Sequence, residues 1–425
     1  MHIRFLFIFL ALPLIAYPQE KQFRFQGQGP TQIVETSSKA IQLQERKVWL
    51  FEQEGVGFSN DFRGARLNKV VPADGSTFHL TIEAENYPVN PSPWYAFKVW
   101  SSTDKQVTLS FNYPQGRHRY FPVVSMDGKS WANLDSARFI AKSDTTIAFY
   151  NYRLLPKEAS MVLDLTAGDT VWVAGQEMWT SKEVYAWMDS VGKVYKLKPK
   201  TIGKTTLGRD LKMMQVSKGR DKKVVAVISR QHPPEVTGFF AMKAFIERIL
   251  KDDSLSNAFR KRYDVLNVPL MNPDGVDEGH WRHNAGGVDL NRDWEAQNQP
   301  EVKLVADYFK TYMKKRKGTM VFFMDFHSTW DDIYYTIDPS LTTNTPGLTT
   351  NWLAGIEAGI PGYYVNHRPS KVDNGVVSRN FFYRTFNTDG LVFEFGDNTS
   401  RDFLKLKGTV AAEVLMRLLL EEPGN

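Results

Sequence analysis

Two patterns of hydrophobic and polar residues divide the chain at about residue 180. From about Phe23 to about Gly175, short runs rich in β-branched and aromatic residues are separated by turn signals such as Asp-Gly. The clearest of these runs are residues 77–82, 94–100, 106–111 and 170–174. Short strands with little helical periodicity predict an antiparallel β-sandwich.

The second half alternates strand-like and helix-like segments. The predicted strands are residues 224–229, 264–271, 320–326 and 391–395, and the predicted helices are residues 233–251, 301–315 and 403–420. Such alternation predicts an α/β domain with a mixed, mainly parallel sheet and helices on both faces. Its functional groups are expected at the carboxyl ends of the strands. We therefore predict a sandwich domain over residues 19–178 and a second domain over residues 179–425.

The first residues match a targeting segment. Arg4 precedes an apolar run from Phe5 to Ile15 that is shorter than the about 20 residues of a bilayer span but typical of a secretory signal. A buried first helix is the alternative, although such a helix should show a polar face. We expect a signal peptide over residues 1–18, export to the periplasm or the medium, and no stable membrane anchor in the mature chain.

Composition narrows the chemistry. The 425 residues are 42% hydrophobic and 24% charged, which predicts two or three folded domains with sizeable cores. The chain has no cysteine, so thiolate ligands and thiol nucleophiles are excluded and any metal must be held by histidine and carboxylate. The net charge of +6 is modest, and its densest run, residues 314–317, follows a predicted helix whose carboxyl end favours cations. No nucleic-acid partner is expected.

Three residues form a candidate metal site. His232 and Glu235 flank two prolines at a predicted strand-to-helix junction, and their spacing puts both side chains on one side of the first turn. His327 follows a strongly apolar strand and would complete a set of two histidines and one carboxylate, which leaves zinc a position for water. A surface histidine beside a helix-start glutamate, and a structural histidine at a strand end, are the alternative interpretations.

Further polar residues fit hydrolysis. Glu394 interrupts an apolar strand, where a buried carboxylate suits general acid–base work, unless the side chain points outward from an edge strand. Arg282 offers a fork of donors that matches a carboxylate or a developing oxyanion. The upstream segment Asn272-Pro-Asp-Gly275 is a strong turn signal and is expected to be scaffolding.

The combination of motifs resembles a known family. In order, the chain contains His-x-x-Glu, Asn-Pro-Asp-Gly, Arg-x-x-x-x-Gly-Val-Asp-Leu-Asn-Arg, Asp-Phe-His and a strand glutamate, as in the zinc metallocarboxypeptidases of the M14 family. Residues 60–67, 94–97 and 120–125 are similar to the β-sandwich that precedes the catalytic domain in the cytosolic-carboxypeptidase branch. The resemblance implies an eight-stranded sheet of the zinc carboxypeptidase type over residues 179–425.

The resemblance also implies roles for individual residues. One Zn²⁺ would be bound by His232, Glu235 and His327, with Glu394 as the general base. Two further roles concern the substrate: Arg282 would polarise the scissile carbonyl, and Asn291 and Arg292 would bind the terminal carboxylate. Asp289 would orient the first zinc histidine. The implied reaction is hydrolysis of the last peptide bond of a peptide.

Two features of the implied site stay open in the sequence. Family members place a tyrosine on a loop ahead of the catalytic glutamate, and the candidates are Tyr363, Tyr364 and Tyr383. Five basic residues before Glu394 could favour an acidic terminal residue, or could form a solvated basic face. These residues are His367, Arg368, Lys371, Arg379 and Arg384.

Three functions remain as hypotheses. The first is an exported zinc carboxypeptidase acting on peptides, and the second is the same chemistry on stem peptides of peptidoglycan. The third is a non-catalytic protein with a vestigial zinc site, in which an aromatic-rich sandwich binds glycan or protein through Trp94, Trp100 and Trp131. The third is weakened because the chain lacks none of the implied ligands and because aromatic residues are the default core of a sandwich.

Overall fold

The computed structural model describes residues 27–29, 31–86, 93–142 and 158–421. The predicted signal peptide therefore lies outside the described residues. Within the described residues, no helix combines the length and apolar composition needed to cross a bilayer.

The amino-terminal part is built from short strands. In chain order these are β1 (Val48–Phe51), β2 (Val56–Ser59), β3 (Lys69–Asp74), β4 (Thr77–Thr81), β5 (Ala96–Ser101), β6 (Lys105–Asn112), β7 (Val123–Ser125), β8 (Ala132–Asn133), β9 (Phe139–Lys142), β10 (Glu158–Leu165) and β11 (Thr170–Ala174). They form a six-stranded sheet, β1-β2-β5-β11-β7-β8, and a five-stranded sheet, β3-β4-β6-β10-β9. A 3₁₀ helix at Ser136–Arg138 precedes β9.

The two sheets enclose one aromatic core, which confirms the predicted sandwich. Phe58 on β2 and Phe78 on β4, from facing sheets, have ring centroids 5.1 Å apart and no solvent exposure. All strand pairs are antiparallel except β4 with β6. That pair is parallel because β5 lies between them in the chain and belongs to the other sheet, so β6 returns in the direction of β4.

The second part contains helices and one large sheet. The strands are β12 (Lys200–Lys204), β13 (Asp210–Ser217), β14 (Lys223–Ser229), β15 (Tyr263–Val268), β16 (Thr319–Thr329), β17 (Ile333–Ile337), β18 (His367–Ser370) and β19 (Asp389–Gly396). The helices are α1 (Ser181–Tyr195), α2 (Val236–Leu250), α3 (Ser254–Arg262), α4 (Pro273–Asp277), α5 (Pro300–Arg316), α6 (Leu348–Gly359), α7 (Ser378–Phe386) and α8 (Arg401–Glu421). A 3₁₀ helix lies at Leu290–Arg292.

The large sheet has eight strands in the order β12-β13-β15-β14-β16-β19-β17-β18. Its centre, β15-β14-β16-β19, is parallel, and β17 pairs with β18 in parallel as well. The three remaining pairs are antiparallel. The predicted mixed, mainly parallel sheet is thus confirmed.

Helices cover both faces of this sheet. Val225 and Val227 of β14 pack into a core shared with α1, α2, α3, α6 and α8, whereas Val224 and Ala226 pack into a second core shared with α5 and α7. Successive residues of a strand point to opposite faces, so both faces of β14 must be apolar. This explains why the central strands read as unbroken hydrophobic runs.

Local signals set several boundaries. Helix α2 begins at Val236 rather than at the predicted Pro233, because the two prolines form the turn that leads into it. The predicted turn at Asn272 opens the short helix α4, and the Asn272 side chain accepts a hydrogen bond from Gly275 N at 2.8 Å. The predicted division at residues 178 and 179 lies in the connection from β11 to α1. The domain limits themselves stay a prediction.

Candidate metal centre and active site

Three strands of the large sheet deliver the candidate residues to one edge. His232 follows the end of β14, His327 lies near the end of β16, and Glu394 lies near the end of β19. In the parallel pairing of β16 with β19, His327 and Glu394 are directly opposite each other. The carboxyl ends of parallel strands meet at one edge of the sheet, which is where such folds place ligands.

The predicted metal ligands converge. His232 Nδ1 lies 2.7 Å from Glu235 Oε1, His327 Nδ1 lies 2.7 Å from Glu235 Oε2, and the two Nδ1 atoms are 3.2 Å apart. All three side chains are buried. Donor atoms from the three residues lie within 4.8 Å of one another, the arrangement expected of groups that share one ion.

The outer nitrogens of both histidines are held by carboxylates. Asp289 Oδ1 lies 2.9 Å from His232 Nε2, and Asp325 Oδ2 lies 2.9 Å from His327 Nε2. If each carboxylate accepts from an Nε2–H, each Nδ1 would be available as a ligand when a metal ion is bound. Asp325 was missed in the sequence, although its position two residues before His327 in a strand puts both side chains on one face.

The donor set fits a zinc ion. Two neutral imidazole nitrogens and one carboxylate are a common zinc set that leaves a fourth position open. Both oxygens of the buried Glu235 lie 2.7 Å from a histidine Nδ1, and the two Nδ1 atoms lie 3.2 Å from each other, so four potential ligand atoms crowd around one point. A cation at their centre would satisfy all of these atoms.

Glu394 is a buried carboxylate beside this centre. Its exposed fraction is 5%, and its Oε2 has no hydrogen-bond partner among the described residues. Burial raises the pKa of Glu394 to about 8, against the opposing charges of His327 and Arg282. The alternative of an outward-facing side chain on an edge strand is wrong, because β19 lies between β16 and β17 in the sheet.

The segment from Arg282 to Arg292 lies next to the first histidine. Arg282 Nε donates to Asp289 Oδ2 at 2.7 Å, so Asp289 joins Arg282 to His232. Burial would raise the pKa of Asp289, but the charges of Arg282 and His232 outweigh it and hold the pKa well below its usual range. Asn291 is fixed in turn, because its Oδ1 accepts from Ser378 N at 2.9 Å.

A cavity of about 610 Å³ opens beside Glu394. Asn291 and Arg292 line one side of it, and Arg379 on α7 lines another. The guanidinium of Arg379 is buried, donates to Thr336 O at 2.6 Å and to Ser370 Oγ, and pairs with no carboxylate of the described residues. Burial lowers its pKa to about 10, so the group stays charged at neutral pH.

Comparison with known proteins agrees with this geometry. Residues 184–358 match the model of the Peptidase_M14 family, described as zinc carboxypeptidase.

Residues 184–358 thus form part of an M14 zinc carboxypeptidase domain.

Several curated relatives are cytosolic carboxypeptidases. The chain is 28% identical to an uncharacterised protein of Zymomonas mobilis over 63% of this chain and 66% of that protein. It is 22% identical to cytosolic carboxypeptidase 2 of Danio rerio over 64% of this chain and 41% of that protein, and 24% identical to the human cytosolic carboxypeptidase 2 over 70% and 35%. The chain thus spans less than two thirds of these curated relatives.

The fold is shared with solved metallocarboxypeptidases. A metallo-carboxypeptidase from Burkholderia cenocepacia superposes with a TM-score of 0.69 over 86% of this chain and 99% of that chain, at 19% identity. A metallo-carboxypeptidase from Pseudomonas aeruginosa, solved with (2-guanidinoethylmercapto)succinic acid, gives 0.65 over 85% and 98%, at 21% identity. At these identities the superpositions show that the chain has the fold of the solved metallocarboxypeptidases.

The five basic residues before Glu394 differ in whether they line the cavity. Arg368, Lys371 and Arg379 line the cavity, together with Asp373. His367 is engaged elsewhere through Nε2, 2.6 Å from Thr336 Oγ1. The fifth, Arg384, forms an exposed ion pair with Glu295 at 3.0 Å. The basic segment is therefore partly a cavity wall and partly a solvated surface.

The three candidate tyrosines are not among the residues that line the cavity. Tyr363 OH donates to Tyr334 OH at 3.1 Å within the core, Tyr364 is half exposed, and Tyr383 lies on α7. The tyrosine that lines the cavity is Tyr335 of β17, which the sequence analysis did not consider.

The tryptophans proposed for glycan or protein binding differ in burial. Trp94 belongs to the sandwich core, and its Nε1 donates to Gly64 O at 2.7 Å. Trp100 and Trp131 are partly buried. Trp94 is thus a core residue that presents no ring to a ligand.

Proposed function

We propose that this protein is a zinc metallocarboxypeptidase that removes the C-terminal residue of peptides. The proposal rests on one cavity, which is lined both by the candidate general base and by the candidate carboxylate-binding pair. Glu394 faces the same cavity as Asn291 and Arg292, and it lies directly across the sheet pairing from the metal-binding His327. Activation of water alone would not require a carboxylate-binding pair in that cavity.

We assign the reaction to the predicted residues. His232, Glu235 and His327 would hold zinc, which when bound lowers the pKa of a water molecule to about 7 and polarises a carbonyl. Glu394 accepts the proton of the attacking water and passes it to the leaving amine. Burial raises the pKa of Glu394 to about 8 even with the charges of His327 and Arg282 nearby, and zinc, once bound, would add positive charge that favours the carboxylate form.

The arginines have separate tasks in this proposal. Arg282 donates to the oxyanion that develops on the scissile carbonyl, and loss of one such donor typically costs about 3 kcal/mol of transition-state stabilisation. Asn291 and Arg292 bind the terminal carboxylate through an amide and a planar fork of donors. Asp289 holds the ring of His232 and the guanidinium of Arg282 in place.

We propose further that the preferred terminal residue carries a carboxylate on its side chain. Arg379 supports this preference, because a buried guanidinium that lacks an acidic partner among the described residues can pair with an incoming carboxylate. Arg368 and Lys371 add positive charge to the same cavity. Glutamate, aspartate and the diaminopimelate of peptidoglycan stem peptides all offer this chemistry.

We also propose that the protein acts outside the cytoplasm. The support is the amino-terminal pattern, in which a basic residue precedes a short apolar run. In that compartment, environmental peptides and stem peptides of the cell wall are the available substrates. Detection of the cleaved protein in periplasmic or culture fractions of cells that express the full chain tests this point.

The decisive experiment compares peptides that differ only at the carboxyl end. The zinc-loaded protein should release glutamate from a free-acid peptide, and should fail on the same peptide with a C-terminal amide, because the amide removes the charge that Asn291 and Arg292 bind. Peptides ending in leucine and lysine, and a stem peptide ending in diaminopimelate, rank the side-chain preference. Cleavage of the amidated peptide at an internal bond would contradict the assignment as a carboxypeptidase.

A further inference from the structure

The loop that carries Arg282 is fixed by a carboxylate of the sandwich. Glu85, which follows β4, is fully buried and accepts hydrogen bonds from three consecutive backbone amides of residues 281–283. Trp281 N donates to Oε2 at 2.7 Å, and Arg282 N and His283 N donate to Oε1 at 2.9 and 2.8 Å. Three amides around one carboxylate form a rigid anion-binding turn.

The same loop is anchored by packing. Trp281 has no solvent exposure and belongs to the core of the sandwich, with its ring 6.5 Å from that of Tyr113. Gly116 makes room for it, because a Cβ at residue 116 would lie 2.6 Å from the Trp281 ring. Arg66 Nε donates to Gly279 O at 2.7 Å on the other side. Sandwich residues therefore hold the loop from several directions.

The anchored backbone leads directly to the proposed active site. Arg282 takes its main-chain position from Glu85 and its side-chain position from Asp289, which also contacts His232. A guanidinium fixed at both ends has little freedom to move away from a developing oxyanion. Such preorganisation is the main source of electrostatic catalysis.

Glu85 is suited to hold this position as an anion. Burial would raise the pKa of Glu85, but its hydrogen bond to His283 Nδ1 and its interactions with His280, His283 and the Arg66 guanidinium outweigh burial and keep the pKa well below its usual range. A charged acceptor makes stronger hydrogen bonds to backbone amides than a neutral one.

We propose that Glu85 is a positioning residue for peptide hydrolysis, and that the sandwich acts through it as part of the active site. The inference rests on the proposed role of Arg282. The competing explanation is that Glu85 only joins the sandwich to the M14 domain, in which case its loss would lower stability and leave the chemistry of the folded enzyme unchanged.

A double-mutant cycle with Glu85→Gln and Arg282→Met separates these explanations. Gln keeps the size of the side chain but turns an NH₂ group toward a backbone N–H. We expect kcat on a glutamate-ending peptide to fall about ten- to hundredfold, the cost of a small displacement of a catalytic group, with KM little changed. In the Arg282→Met background the same substitution should leave kcat unchanged, whereas its effect on the melting temperature should persist in both backgrounds.

Glu177→Gln is the matched control. Glu177 forms an ion pair with Arg401 and is mostly buried, but none of its hydrogen bonds reaches residues 281–283. This variant should change the melting temperature alone. Glu85→Asp provides a second test should Glu85→Gln be insoluble, because Asp keeps the charge but is too short to reach all three amides, so an intermediate loss of kcat is expected.

The outcomes separate a failure of the proposed function from a failure of the positioning role of Glu85. An inactive wild-type enzyme, or an Arg282→Met variant as active as wild type, would refute the proposed function. An inactive Arg282→Met variant beside fully active Glu85 variants would refute only the positioning role. An equal kcat loss from Glu85→Gln in both backgrounds would likewise show that Glu85 does not act through Arg282.

Discussion

Two buried histidines, one in each half of the molecule, respond to burial in opposite ways. His118 lies in the sandwich among the rings of Tyr95, Phe111 and Tyr113, and burial lowers its pKa to about 4. His327 is at least as buried, but the carboxylates of Asp325 and Glu235 outweigh burial and raise its pKa well above the ordinary value in the metal-free chain. The neighbours, rather than the burial, decide the charge.

The two halves therefore use their interiors differently. The sandwich buries mainly apolar and aromatic side chains, whose contribution is stability. The M14 domain buries carboxylates, histidines and arginines that hold one another in fixed positions at one sheet edge. We expect substitution of a buried polar group to reduce stability where the group lies among the sandwich aromatics, as His118 does, and to reduce activity where it contacts the sheet-edge site or, like Glu85, the loop that carries Arg282.

The largest expected effect is that of Glu394→Gln. Removal of a general base costs up to about 10⁴-fold, and we expect kcat to fall about a thousandfold. Burial raises the pKa of Glu394 to about 8, so without zinc the group is already largely neutral near pH 7, and the neutral Gln should change the free energy of unfolding little. Steady-state kinetics, zinc content and urea unfolding measure the three quantities. An unchanged kcat would refute Glu394 as the base.

Arg379→Met should act on selectivity. A hydrogen bond to a charged group is worth about 1.5–3 kcal/mol, so the ratio of kcat/KM between glutamate-ending and leucine-ending peptides should fall roughly ten- to hundredfold. The rate on the leucine-ending peptide should change little, because Arg379 lies outside the metal centre. If the ratio is unchanged, the acidic preference, where present, comes from another part of the cavity. Arg384→Met, at an exposed ion pair, is the control.

His118→Phe should change how the stability depends on pH. The folded-state pKa of about 4 lies below the ordinary value of 6.5, so the unfolded chain binds a proton first as the pH falls, and stability is lost from about pH 6.5 downward. Between about pH 7 and about pH 5 this amounts to about 2 kcal/mol. Urea unfolding of wild type and variant at both pH values should give a smaller loss for the variant. Equal losses would contradict a neutral His118, and activity near pH 7 should be kept.

The smallest effect is expected where charges are not buried. Lys303 and Asp307 form an ion pair at 3.0 Å on α5, with both side chains more than half exposed. Lys303→Met should change the free energy of unfolding by about 0.5 kcal/mol at most, and less at high salt. A larger change would contradict the view that a charged pair matters to stability only where it is buried. Thermal melts at two salt concentrations are sufficient to measure it.

Much of the site was predictable because its signals are local. The prolines between His232 and Glu235 mark a strand-to-helix junction on their own, and apolar runs before His327 and around Glu394 mark buried strands. The pattern of strands and helices then predicts that these ends meet. Asn291 and Arg292 were found through their motif, and they line the cavity as expected of residues that bind a substrate.

Other parts of the site could not be read from the chain. Glu85 and His283 are 198 positions apart, and nothing near either residue indicates that they meet. Arg379 was one of five basic residues with equal claims, and only its burial against Thr336 distinguishes it. Tyr335 of β17 could not be predicted either, because nothing near it in the chain indicates that it lines the cavity.

The sequence by itself determined the order of the elements, the class of both halves and the candidate ligand set of the metal centre, because periodicity, turn residues and short motifs act over a few residues. Only the tertiary structure decided which carboxylate contacts each histidine, which of the basic residues line the cavity, and which sandwich residue binds the backbone of the Arg282 loop. Those choices depend on the packing of segments distant in the chain, because the neighbours that such packing places around a buried polar side chain fix its position and decide its charge.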